Sequence, residues 1–230
     1  LTFLEPDWGT TLLLASVSGV MLLVAGVRWL HLAPIGVAGI AAFLFALLHN
    51  PTRLSRILSW LNPEETKEKV GYQAWQAMLA LGNGGVTGTG LGNGIQKHGY
   101  VPQHLNDFIF AMLGEELGLV CTMAVLVTFT VLFVCGVYIA WHAREPFGML
   151  LATGLTFLIG LQAFVNIGVV TSALPNKGLP LPFISRGGTN LLFMLICVGL
   201  LLSVARHATR RQDAEAPVVD LDEAPAPQPS

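Results

Sequence analysis

Five long stretches of this chain contain no Asp, Glu, Lys, Arg or His: Gly9–Val27, Leu32–Leu48, Leu117–Trp141, Pro146–Asn176 and Gly187–Ala205. That feature limits the fold more than any other. A helix rises about 1.5 Å per residue and a bilayer's hydrocarbon core is about 30 Å thick, so ~17–25 apolar residues suffice to cross it. A soluble domain of 230 residues would need a charged surface, yet only 11% of this chain is charged and 53% is apolar. Lipid is the solvent such a chain fits. The fold class is therefore all-α, a polytopic membrane helix bundle with about five transmembrane helices. They are expected near 9–27, 32–49, 108–141, 147–170 and 187–205, within a membrane domain covering 1–208. Pro34 suits a first helical turn. Pro175, Gly178, Pro180 and Pro182 end the fourth helix and leave the rest of that run to a loop.

The charges are clustered, so the net charge of −2 says little. Residues 209–230 hold Asp213, Glu215, Asp220, Asp222 and Glu223 with Pro217, Pro225, Pro227 and Pro229, and read as a disordered acidic, proline-rich tail. Cys121, Cys135 and Cys197 lie in apolar runs without metal-ligand spacing, and read as small buried hydrophobes. His49, His98 and His104 form no zinc pattern, and nothing points to a nucleic-acid partner. The chain begins at Leu1 with neither Met nor a signal-peptide pattern, and reads as a fragment. Charge counting leaves orientation open. Arg28, His31, Arg144, Arg206, Arg210 and Arg211 favour one side as cytoplasmic, whereas Arg53, Arg56, Lys67, Lys69 and Lys97 favour the other.

The loop 50–107 is the one long polar region. Val70, Ala74, Ala77 and Met78 recur at helical spacing and predict a short amphipathic helix near 68–80 at the membrane surface. Residues 82–94 then carry seven glycines, but match neither nucleotide-binding glycine pattern and lack its strand-to-helix context. Tight turns or close backbone approach remain as readings.

Asp107 follows Asn106, an acceptable N-cap, and precedes an apolar helix. A carboxylate there is either a charge held by the helix dipole, or a group at the boundary of water and lipid that takes a proton or holds a divalent cation. Glu115 and Glu116 lie two turns on if the helix is continuous. Two carboxylates at that depth need a polar cavity, unless the spanning helix starts later, near Leu117. Lys97, Arg53 and Arg56 suit an anionic headgroup or a diphosphate, and equally the lipid surface. Asn166 reads as a hydrogen bond to a neighbouring helix before a substrate contact. The segment 174–188 holds three prolines and cannot be regular helix. Irregular apolar backbone beside a membrane needs protein or water around it, which suggests a loop closing a cavity, with Lys177, Ser185 and Arg186 as its polar groups.

Four blocks, in order, resemble the SEDS proteins (shape, elongation, division and sporulation; FtsW/RodA/SpoVE). They are Glu5-Pro-Asp-Trp-Gly-Thr10, Gly90-Leu-Gly-Asn-Gly-Ile-Gln-Lys97, Asp107-Phe-Ile-Phe-Ala111 running into Gly114-Glu-Glu-Leu-Gly118, and Leu174-Pro-Asn-Lys-Gly-Leu-Pro-Leu-Pro-Phe-Ile-Ser185 before Gly187-Gly188. The form around Lys177 resembles the FtsW branch. The resemblance implies a peptidoglycan glycosyltransferase that polymerises lipid II, an undecaprenyl-diphosphate-linked disaccharide-pentapeptide, in cell division or elongation. It implies a bacterial cytoplasmic (inner) membrane protein of roughly ten helices, of which this chain would hold the C-terminal half, with loop 50–107 external and the C-terminus cytoplasmic. It also implies Asp107 as the catalytic residue and a tentative metal ligand for Mg or Mn, and a class B penicillin-binding protein and other divisome membrane proteins as partners. Gln96, Lys97, Glu116, Asn166, Lys177, Ser185, Gly187 and Gly188 become candidates for substrate binding. Gln103, His104, Leu105 and Arg186 depart from the family pattern. A lipid-linked precursor transporter (flippase) and a non-enzymatic divisome scaffold are the alternatives.

Overall fold

The computed structural model describes residues 8–61, 71–94 and 107–215, with side chains not described at Trp8, 52–53 and 209–215. All regular structure among the described residues is helical: α1 (Trp8–Val24), α2 (Trp29–Leu48), α3 (Pro51–Leu61), α4 (Tyr72–Gly84), α5 (Ile109–His142), α6 (Pro146–Val170) and α7 (Gly188–Glu215). Four of these, α2, α5, α6 and α7 over Gly188–Ala208, are long and apolar enough to cross a membrane. At 17 residues, α1 is shorter.

The centre of the bundle is α6, which packs against α1, α4, α5 and α7. Pro146 opens it at a position where its missing N–H has no helical partner to lose. Small residues then let neighbours approach closely, as membrane helices require in the absence of a hydrophobic drive between them. Gly154 lies against the Met21 side chain of α1, and Thr156 lies against Gly136 of α5. Helix α2 is different. It packs against α3, and none of its residues is buried.

Several helices differ from the sequence expectation. Helix α2 begins at Trp29, so Pro34 lies inside it and not in its first turn. Helix α4 runs from Tyr72 to Gly84 with Ala77 and Ala80 buried in the core and not resting at a membrane surface. Residues 50–61 are not loop: α3 starts at Pro51 and alternates Leu54, Ile57, Leu58 and Leu61 with polar residues. A proline at the first helical position and an amphipathic stripe account for this helix. Trp60 donates its indole N–H to the Ser172 carbonyl at 2.8 Å, tying α3 to the loop after α6. In addition, α7 runs to Glu215, so residues 209–215 are helical and not tail. Ala208, Arg210, Arg211, Gln212 and Ala214 are strong helix formers, and they extend a helix already nucleated in the bundle. The remainder of the expected tail, 216–230, lies outside the described residues.

Candidate functional site

The long helix α5 is interrupted. Gly118 has φ 74° and ψ −170°, far from helical values. The carbonyls freed just before it are taken by the glycine-rich segment: Thr89 N–H donates to Glu115 O and Gly90 N–H to Glu116 O, both at 3.0 Å. In return, the Leu119 N–H donates to Gly85 O at 3.0 Å and Val120 N–H to Val86 O at 3.4 Å. A broken helix at membrane depth persists only where protein satisfies its backbone, and this pairing does so. The glycines are needed for contact. A Cβ on Gly84 would collide with the Gly114 carbonyl and one on Gly88 (φ +80°) with the Glu116 carbonyl.

The break moves Glu115 and Glu116 out of a continuous spanning helix. From Leu119 to His142, α5 covers ~36 Å and crosses by itself, while the two glutamates belong to the short segment before Gly118. Glu115 is fully buried. A Glu116 carboxylate oxygen accepts the Gly92 N–H at 3.1 Å, and both carboxylates face Gly94.

Asp107 sits at the turn where α5 begins, half-buried. Burial raises its pKa above the ordinary carboxylate value of 3.8, because leaving water disfavours the charged form. One carboxylate oxygen points at Gly178, where a Cβ would lie 2.6 Å from it. Only glycine leaves the carboxylate this place.

The loop 171–187 forms the other wall. Leu179, Leu181 and Pro182 are buried, and Phe183 stacks on Phe129 of α5 with centroids 6.4 Å apart. Two side chains one turn apart on α6 take up its carbonyls. Asn166 donates to Leu179 O at 2.6 Å and to the Asp107 carbonyl at 2.8 Å, and Gln162 donates to Pro180 O at 2.9 Å. Ser185 Oγ accepts the Leu181 N–H at 2.7 Å. Asn166 is thus a bridge between the Asp107 turn and the loop, and Ser185 is buried within the loop's own turn.

Asp107, Asn166 and Gly178 therefore gather at one corner, while Ser185 braces the loop that forms its wall. Lys177 is next to Gly178 in the chain, but its ammonium lies 5.9 Å from the ring centre of Phe43 on α2. Gly187 and Gly188 are exposed at the start of α7. Gln96 and Lys97, with Gln103, His104 and Leu105, lie outside the described residues, and Arg186 is exposed. Gln162 was missed by sequence reasoning. Its signal was present, an amide one turn before Asn166 in a helix otherwise free of such groups. Among the described residues, no group of three or more His, Cys, Asp or Glu converges on a metal site. Asp107 by itself offers one carboxylate, which holds Mg only where a bound ligand brings further oxygens such as phosphates.

An interrupted bundle with four helices long and apolar enough to cross a membrane defines a multi-pass helical membrane protein. Its family is shown by comparison. Residues 1–210 match the family model of the FtsW/RodA/SpoVE cell cycle proteins, and the chain belongs to that family. It is 44% identical over 201 residues to "Probable peptidoglycan glycosyltransferase FtsW" of Geobacter sulfurreducens, covering 87% of this chain and 54% of that protein. It is 42% identical over 204 residues to "Stage V sporulation protein E" of Bacillus subtilis, covering 89% and 56%. The chain thus spans about half the length of these curated relatives. A solved structure described as the coordination of polymerization and crosslinking by a peptidoglycan synthase complex matches with a TM-score of 0.71 and 26% identity, over 89% of this chain and 57% of that one.

Proposed function

We propose that this chain carries the catalytic corner of a peptidoglycan glycosyltransferase that polymerises lipid II at the outer face of the bacterial cytoplasmic membrane. The observation that carries the reading is the Asp107 carboxylate, half-buried at the start of α5 and fitted against Gly178. A base works best when its pKa approaches the working pH, and burial moves Asp107 in that direction. Asp107 takes the proton from a sugar 4-hydroxyl as that oxygen attacks the anomeric carbon of the lipid-linked donor. The bond from that carbon to the diphosphate breaks, and the configuration inverts. Asn166 holds the Asp107 backbone, and the loop it binds walls the site. Mg or Mn, held by the substrate phosphates beside Asp107, would supply positive charge for the diphosphate. Lys97 and Lys177 are the cationic side chains nearest in sequence to the two walls. The family likeness and the relatives' names support the substrate class, and the likeness to a peptidoglycan synthase complex supports a crosslinking partner, which this reading takes to be a class B penicillin-binding protein among other divisome membrane proteins. In this reading Asp107 lies outside and the C-terminus in the cytoplasm.

The interruption at Gly118 is also a feature of transporter sites, which use broken helices at depth. The product separates the readings. Purified protein given fluorescent lipid II in detergent yields glycan polymer on gels if it is a polymerase. Flipping in sealed vesicles without polymer would establish transport, and partner binding with neither activity would establish a scaffold.

A further inference from the structure

The end of the bundle remote from Asp107 holds a crevice between α6 and α7 that the glycosyl-transfer reading does not use. Its volume is about 270 Å³. Leu151 of α6 and Leu200 and Val204 of α7 form its apolar walls, and Arg144, Glu145, Ser203 and His207 stand at its mouth. The surrounding surface is apolar: Phe147, on the rim, is 75% exposed, and Trp141 is 84% exposed. In a membrane protein such residues face lipid. The crevice is too small for a helix, which with side chains is ~10 Å across, and it joins apolar walls to charged side chains, as an amphiphile does. Part of one acyl chain fits it.

The charge at this end selects the lipid. Arg144 follows α5, and Arg206 and His207 lie on α7, against Glu145 as the acid in the mouth. A choline or ethanolamine headgroup would set a cation among these arginines, whereas a glycerol headgroup leaves its phosphate charge uncompensated. We infer that the α6–α7 crevice is a binding site for one anionic phospholipid, with an acyl chain between Leu151, Leu200 and Val204 and its phosphate at Arg144 and His207. Clefts with basic mouths between membrane helices recognise anionic headgroups through this combination of charge and apolar depth.

Native mass spectrometry of the purified protein, exchanged with phosphatidylglycerol or phosphatidylcholine in detergent, tests the site. The expected result is retained phosphatidylglycerol in preference to phosphatidylcholine. Arg144→Gln with His207→Gln should lower that retention about fivefold or more, since one arginine near the surface has an effect of about that size and the imidazole adds a hydrogen bond. Gly148→Phe should lower it too. The Cβ of residue 148 would lie 3.4 Å from Val204, so a larger side chain fills the crevice. Arg28→Gln, which removes a charge from the same end but not from the crevice, should bind as the wild type does. Equal retention of the two lipids, or a loss with Arg28→Gln as large as with the double variant, would overturn the site. So would wild-type binding by the Arg144 and His207 double variant, whatever the fate of Gly148→Phe.

Discussion

Helix α2 and the Asp107 corner are made in opposite ways. In α2 no residue is buried, and a Cβ on Gly36 or Gly39 would meet nothing within 4 Å. Its helicity needs only apolar residues and a membrane. In the corner, amides of α6 hold carbonyls of a loop, and further along α5 glycines touch backbone and the break is closed by paired main-chain bonds. Hydrophobicity specifies the first region. Particular hydrogen bonds specify the second, so single substitutions should act very unequally on the two.

The largest effect belongs to Asp107. Asp107→Asn should lower lipid II polymerisation by about 10²–10⁴-fold, the range for a general base. The same change should not lower the melting temperature at neutral pH. The carboxyl's folded pKa is raised, so its favourable contribution to stability is present below the unfolded value of 3.8 and lost as pH rises through the folded one. At neutral pH the charge is a burden that Asn removes. A parallel loss of activity and stability would show that Asp107 serves the fold instead.

Gly88→Ala comes next. It places a side chain at φ +80° and into the Glu116 backbone, where nothing flexible can yield. A loss of ~2–4 kcal/mol in stability is expected from strain with overpacking, read as a lower thermal midpoint in detergent. Gly178→Ala strikes the Asp107 carboxylate, the free end of a side chain that can turn away. Activity should therefore drop ~10–100-fold through lost alignment, with the midpoint nearly unchanged. Asn166→Ala leaves the carbonyls of Asp107 and Leu179 without their donor and should cost ~1–3 kcal/mol. The smallest effect should come from Gly36→Ala or Gly39→Ala in α2, which raises helix propensity by about 0.5–1 kcal/mol and meets no neighbour. Destabilisation there as large as in Gly88→Ala would remove the contrast between the two regions.

Much of the fold was legible because charge-free runs measure membrane helices directly. The spans at 147–170 and 187–205 differ from α6 and the start of α7 by a residue. The helix α3 was hidden by its own polarity, which resembles a loop until the stripe of Leu54, Ile57, Leu58 and Leu61 is read as one face. In the site, Asp107 and the proline-rich wall stood out in sequence because charge and proline are costly in an apolar setting. The break at Gly118 did not, since one glycine in an apolar run is ordinary and its φ depends on backbone thirty residues earlier. The placement of Asn166 between Asp107 and Leu179 depends equally on tertiary contact.

The most direct measurement of the account is the pH dependence of the polymerisation rate at limiting lipid II, which reports the base in the free protein. The account predicts a rate that falls on acidification through a pKa above 3.8, the ordinary value for Asp107, because its half-buried place raises it. A rate that stays level down to the ordinary carboxylate range would contradict it.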